Sequence, residues 1–94
     1  MNESHIEKLL FEIADHVGKV PDDVRAVFST LVSTTLQYRD RSKEEMGLVV
    51  TVEDVRGALD MLVNSLRTKK LPKTNDAVKL ELVKLWLDAL KPWL

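Results

Sequence analysis

The chain contains no cysteine, which excludes disulfides, thiol nucleophiles, thiol redox chemistry and the cysteine-containing zinc sites together. An intracellular, cytoplasmic location is the expectation that follows. Glycine is scarce: Gly18, Gly47 and Gly57 are isolated, so no glycine-rich loop is available to cradle a phosphate. No sign of charge dominates either. Fourteen Lys and Arg stand against fifteen Asp and Glu for a net charge of −1, so no overall field favours nucleic acid or anionic lipid, and such binding would need a local patch. The apolar runs are a few residues long, far short of the roughly 18 needed to span a bilayer. The opening Met-Asn-Glu-Ser-His is polar and lacks the basic and apolar parts of a signal peptide, so a soluble protein is expected.

What remains is a globular composition, 45% apolar and 31% charged, in 94 residues. That length suits one domain over 1–94. A chain this short buries only about 65% of the surface its unfolded form exposes, so association with another chain would help it appreciably.

The apolar residues repeat at helical spacing. Ile6, Leu9, Leu10, Ile13, Ala14 and Val17 form one stripe, with Ser4 placed to cap it and Gly18 to end it. Pro21 with Asp22 and Asp23 reads as a second helix start, because proline tolerates the first turn and carboxylates complement the positive end of the macrodipole. Val24, Val27, Phe28, Leu31, Val32 and Thr35 continue it to Tyr38 or Arg39. Its middle holds Ser29, Thr30, Ser33, Thr34 and Thr35, mediocre helix formers that make it dependent on tertiary packing. Their small side chains suit close helix approach better than a hydroxyl-lined site.

Arg39 to Glu45 reads as a charged connection with Ser42 as a turn cap and Gly47 closing it, and Leu48-Val49-Val50 reads as a buried connection. Thr51, with Asp54 three residues on, marks the third helix by a capping box. Val52, Val55, Leu59, Leu62 and Leu66 give it a narrow seam that Ala58 and Val63 widen. After the linker Leu71-Pro72-Lys73, Thr74 or Asn75 caps the last helix. The expected fold is therefore all-α, a compact bundle of about four helices over 4–17, 21–39, 52–68 and 75–91.

The last helix differs from the rest. At 100° per residue, Val78, Leu80, Leu82, Val83, Leu85, Trp86, Leu87, Ala89 and Leu90 cover an arc of about 220°, twice what an ordinary surface helix needs. Either the other helices surround it or part of the arc faces a second chain. Pro92-Trp93-Leu94 prolongs the apolar character beyond it.

Asp23-Val24-Arg25 and Asp54-Val55-Arg56 match at an offset of 31 residues, and Leu31-Val32 and Leu62-Val63 extend the match. The phrase resembles the Asp-x-Val-Arg of HEAT-type helical repeats, but two copies fall short of such a solenoid, which needs three or more. Chance similarity of amphipathic helices is the simpler account.

Few residues are spaced for chemistry. His5 and His16 lie on one helix about 16 Å apart and cannot share an ion. Glu12 and His16 have the i, i+4 spacing of helical metal ligands but no third ligand nearby. Asp22-Asp23 and Glu44-Glu45 are adjacent in sequence and point apart, so neither pair is a ready acid/base dyad. The serines and threonines have no nucleophile elbow. No catalytic residue, metal site or cofactor is assigned. Arg67, Lys69, Lys70 and Lys73 form the one basic cluster, which suits the negative end of the third helix or a phosphate contact.

The expected function is therefore contact without catalysis: a helical protein–protein interaction module, an adaptor, regulator or assembly subunit, self-associating as a dimer through its C-terminal helix. Val78, Leu82, Leu85, Trp86, Ala89, Trp93 and Leu94 are its candidate interface. The alternative is a small nucleic-acid-binding regulator that uses Arg67, Lys69, Lys70 and Lys73. No membrane partner is expected.

Overall fold

The computed structural model of the chain describes residues 8–13, 15 and 23–94, and it is all-helical, with no strand among the described residues. Residues 8–13 form part of α1. They are followed by α2 (Asp23–Met46), α3 (Val52–Thr68), α4 (Ala77–Ala89) and a 3-10 turn at Lys91–Trp93. The four-helix arrangement agrees with the hydrophobic periodicity. The caps expected at Ser4, Gly18 and Pro21 lie outside the described residues, as do Ile6, Ala14 and Val17.

In α2, Val27, Leu31, Tyr38 and Ser42 are buried along a single stripe, and this stripe accounts for the helix's length. The helix does not stop at Arg39, as expected, but continues for seven more residues to Met46. Arg39 to Glu45 is thus helix rather than connection, and Ser42 is a fully buried residue inside it rather than a turn cap. A small hydroxyl at a stripe position carries no hydrophobic signal, which is why the last two turns read as polar linker. Gly47 ends the helix in the left-handed region at φ 61°, where glycine has no steric cost. Its N–H donates to the Lys43 carbonyl at 3.1 Å, and that of Leu48 to Ser42 at 3.1 Å. Of the connection that follows, only Val50 is buried; Leu48 and Val49 are exposed, contrary to expectation.

The start of α3 is as the sequence implies. The Thr51 hydroxyl accepts from the Asp54 N–H at 3.1 Å, and the Asp54 carboxylate accepts from the Thr51 N–H at 2.9 Å. This reciprocal box satisfies two of the four orphan donors at a helix N-terminus. Ala58, Leu59, Leu62 and Val63 bury the inner face. Of the repeated phrase, Arg56 pairs with Glu53 in its own helix while Arg25 is exposed, so the two arginines hold different environments.

The N-cap of α4 is Asp76, not Thr74 or Asn75. Its Oδ1 accepts from the Lys79 N–H at 3.1 Å, and the Thr74 hydroxyl accepts in turn from the Asp76 N–H at 3.1 Å. The backbone hydrogen bond from Lys79 holds the Asp76 carboxyl below its ordinary pKa, aided by the Lys79 ammonium 3.4 Å from Oδ2 and opposed by partial desolvation. A carboxyl whose pKa is lower folded than unfolded contributes stability at neutral pH, and the contribution is lost as pH falls through the lowered value. Chemical denaturation across the acid range is expected to show that loss, and Asp76→Asn, which keeps the capping oxygen without the charge, is expected to flatten it. An unchanged acid profile in the variant would remove Asp76 from the account.

The apolar arc of α4 is accounted for by enclosure. None of its nine residues from Val78 to Leu90 is exposed, and Leu82, Val83, Trp86 and Leu90 are wholly buried. The helix packs most extensively on α3 and then on α2. Leu9 and Ile13 of α1 join the same core. The α-helix ends at Ala89, and the tail turns back as a 3-10 turn in which Trp93 N–H donates to the Leu90 carbonyl at 2.9 Å. That turn holds Trp93 half-buried against the core.

Candidate functional site, a groove at the end of the bundle

The sequence offers two separate sets of candidate residues, one apolar and one basic, and the fold brings members of both to one place. The C-terminal turn of α3, the linker behind it and the 3-10 tail enclose a groove of about 690 Å³. Leu66 and Leu87 line it from the two helices, Leu71 from the linker, and Trp93 and Leu94 from the tail. Lys69 and Lys70 stand beside them.

Each wall has a local cause. The 3-10 turn, with proline in its first residues, redirects the chain after Leu90 so that Trp93 packs back instead of continuing the helical line. Leu71 and Leu94 remain 55% and 61% exposed, which is apolar surface that the fold leaves to solvent. Lys69 terminates α3 at φ 59° and ψ 31°, donating its N–H to the Ser65 carbonyl at 2.8 Å. It occupies the same left-handed geometry as Gly47 but carries a side chain, at a cost of about 1 kcal/mol that glycine would avoid. Among the described residues neither Lys69 nor Lys70 has an ion-pair partner. Ser65, with 4% exposure, also lines the groove, and its hydroxyl has no hydrogen-bond partner among the described residues.

The remaining candidates divide. Leu82 and Trp86 are fully buried within the chain, and Val78, Leu85 and Ala89 are half-buried against its core or flank. Of the seven candidate interface residues, Leu94 alone is exposed, and Trp93 is the other that lines the groove. Of the four basic candidates, Arg67 is engaged by Glu12 of α1, and Lys73 is exposed on the linker but does not line the groove. The ion pair also assigns Glu12 a structural partner in place of the i, i+4 metal pairing with His16, which lies outside the described residues. No group of three or more His, Asp or Glu residues converges among the described residues. No helix there is long and apolar enough to cross a membrane.

Sequence reasoning missed Leu66, Leu71 and Leu87 as members of this site. Leu66 and Leu87 read as ordinary core positions and Leu71 as linker, and only the folded path of the tail sets them around one groove. Comparisons with protein-family models, curated proteins and solved structures found no match to this chain.

Proposed function

We propose that this chain is a non-enzymatic helical interaction module whose contact site is the groove between the end of α3 and the C-terminal tail. Its partner is a protein segment with apolar anchors flanked by carboxylates. The observation that carries this reading is the juxtaposition of exposed apolar surface at Leu71 and Leu94 and the half-buried Trp93 with the ammonium groups of Lys69 and Lys70, which have no ion-pair partner among the described residues. An aromatic anchor beside leucines is the usual energetic centre of a protein contact. Rim cations steer an acidic partner and fix its orientation more than they add affinity.

The left-handed Lys69 supports the same reading. A residue kept in a costly backbone conformation where glycine is free points to a use for its side chain. Nucleic acid fits less well, because Arg67 is committed to Glu12 and the walls of the groove are leucine and tryptophan.

Selection from a display library of peptides tests the proposal. Enriched sequences are expected to combine leucine or aromatic anchors with Asp or Glu, and to lose binding on Trp93→Ala and on Lys70→Glu. Lys69→Gly is expected to separate the two roles of that residue, raising fold stability by about 1 kcal/mol while weakening the selected peptides. Enrichment without acidic residues, or binding indifferent to Trp93, would overturn the reading. A steeply salt-dependent affinity for a labelled oligonucleotide, lost on replacing Lys69 and Lys70, would put nucleic acid in its place.

A further inference from the structure

The outer face of α2 leaves two large apolar side chains to solvent, Val32 at 50% and Leu36 at 42% exposure. Placed at about 100° per residue, Arg25, Ser29, Val32, Ser33, Leu36 and Asp40 fall within an arc of about 100°. All six are exposed, and the arc lies opposite the buried stripe of Val27, Leu31, Tyr38 and Ser42. A shallow groove runs along this face, flanked by Phe28, which stacks edge-on against the exposed ring of Phe11 at 5.5 Å between centroids.

Reversed, the order of these residues gives its complement in size and charge. About a point between Val32 and Ser33, Val32 mirrors Ser33, Leu36 mirrors Ser29 and Asp40 mirrors Arg25. Two copies of α2 laid antiparallel about a two-fold axis at that point would bring each large apolar side chain to the level of a small one on the other helix. They would bring each cation to the level of an anion. Serine at the opposing positions permits the close approach that a helix pair needs. Among the described residues the Asp40 carboxylate pairs with its neighbour Arg39 alone, at 3.1 Å, with both side chains largely exposed, and such a pair is worth little.

From this charge and size complementarity we infer that the outer face of α2 docks a second copy of the chain, antiparallel, with Arg25 of each copy facing Asp40 of the other. The contact is centred on one helix from each copy, so it is a small interface that dissociates on dilution. The site is separate from the tail groove, which stays open in such a dimer.

Charge exchange tests the geometry. Sedimentation equilibrium of the chain is expected to show dimers. Arg25→Asp and Asp40→Arg alone each set like charges against each other twice per dimer, and each is expected to weaken association about tenfold or more. The double variant carrying both restores two opposite pairs and is expected to regain the dimer. The two single variants, mixed, are expected to form a heterodimer that neither makes alone. Both positions tested are on the surface, so circular dichroism is expected to stay unchanged. A chain that stays monomeric at several hundred times a micromolar concentration would overturn the inference. So would single reversals without effect, or a folded double variant that does not re-associate.

Discussion

Replacing Trp86 by alanine is expected to destabilise the protein by about 3 to 5 kcal/mol, the range observed when a large buried aromatic is removed and its cavity only partly collapses. The indole has 0% exposure and is the largest fully buried side chain among the described residues. It sits where α4 meets α2, in one core with Leu9 and Ile13 of α1 and Leu59 and Leu62 of α3, so its loss opens a cavity in the core that the four helices share. A domain of this size has about 5 to 14 kcal/mol of stability in all. The variant is therefore expected to melt more than about 12 °C lower, or to be unfolded at room temperature. Thermal denaturation followed by circular dichroism reads this directly. A shift of only a few degrees would mean that Trp86 is not enclosed as described, and would return the apolar arc of α4 to the surface. The result also separates burial from association, because a Trp86 engaged mainly with a second chain would make the loss depend on protein concentration and an enclosed one would not.

What the sequence could and could not reveal follows from the range of the interactions concerned. The capping box of Thr51 and Asp54 spans three residues and was legible without tertiary information. The apolar arc of α4 was equally legible as a pattern, but a pattern cannot say whether the second wall is another helix or another chain. Here the other helices supply it. The last turns of α2 were hidden because Ser42 and the charged residues around it give no hydrophobic period, although Ser42 is fully buried. Val32 shows the converse failure: its spacing from Phe28 and Leu31 suits a core stripe, yet it is half-exposed because the stripe runs through Tyr38 and Ser42 instead. The candidate site was legible only in pieces. Lys69 and Lys70 stood out as charge and Trp93 and Leu94 as unspent apolar surface, but their meeting depends on a 3-10 turn that folds the tail back.

A buried indole brings a polar problem with it, and Thr35 solves it. Trp86 Nε1 donates to the Thr35 hydroxyl oxygen at 3.0 Å, and that hydroxyl donates its own proton to the Leu31 carbonyl at 2.7 Å, one turn back in α2. The threonine among the hydroxyl residues of this helix thus does more than allow close approach, since it links α2 to α4 through a relay in which each donor has an acceptor. Thr35→Val keeps the β-branched shape and a similar helix propensity but leaves the indole N–H buried without a partner. It is expected to cost about 1 to 3 kcal/mol, the penalty for desolvating an unpaired donor. Thr35→Ser, which retains the hydroxyl, is expected to cost less. Trp86→Phe removes the donor itself, and the Thr35 hydroxyl keeps its bond to Leu31. Thr35→Val is therefore expected to be much milder in the Trp86→Phe background than in the original chain. Chemical denaturation of the four proteins gives the coupling as the departure from additivity. Strict additivity would mean that the two side chains do not act as a pair. A positive coupling would identify the Thr35–Trp86 bond as an energetic link between α2 and α4, the helix from which the C-terminal tail leaves to form its groove.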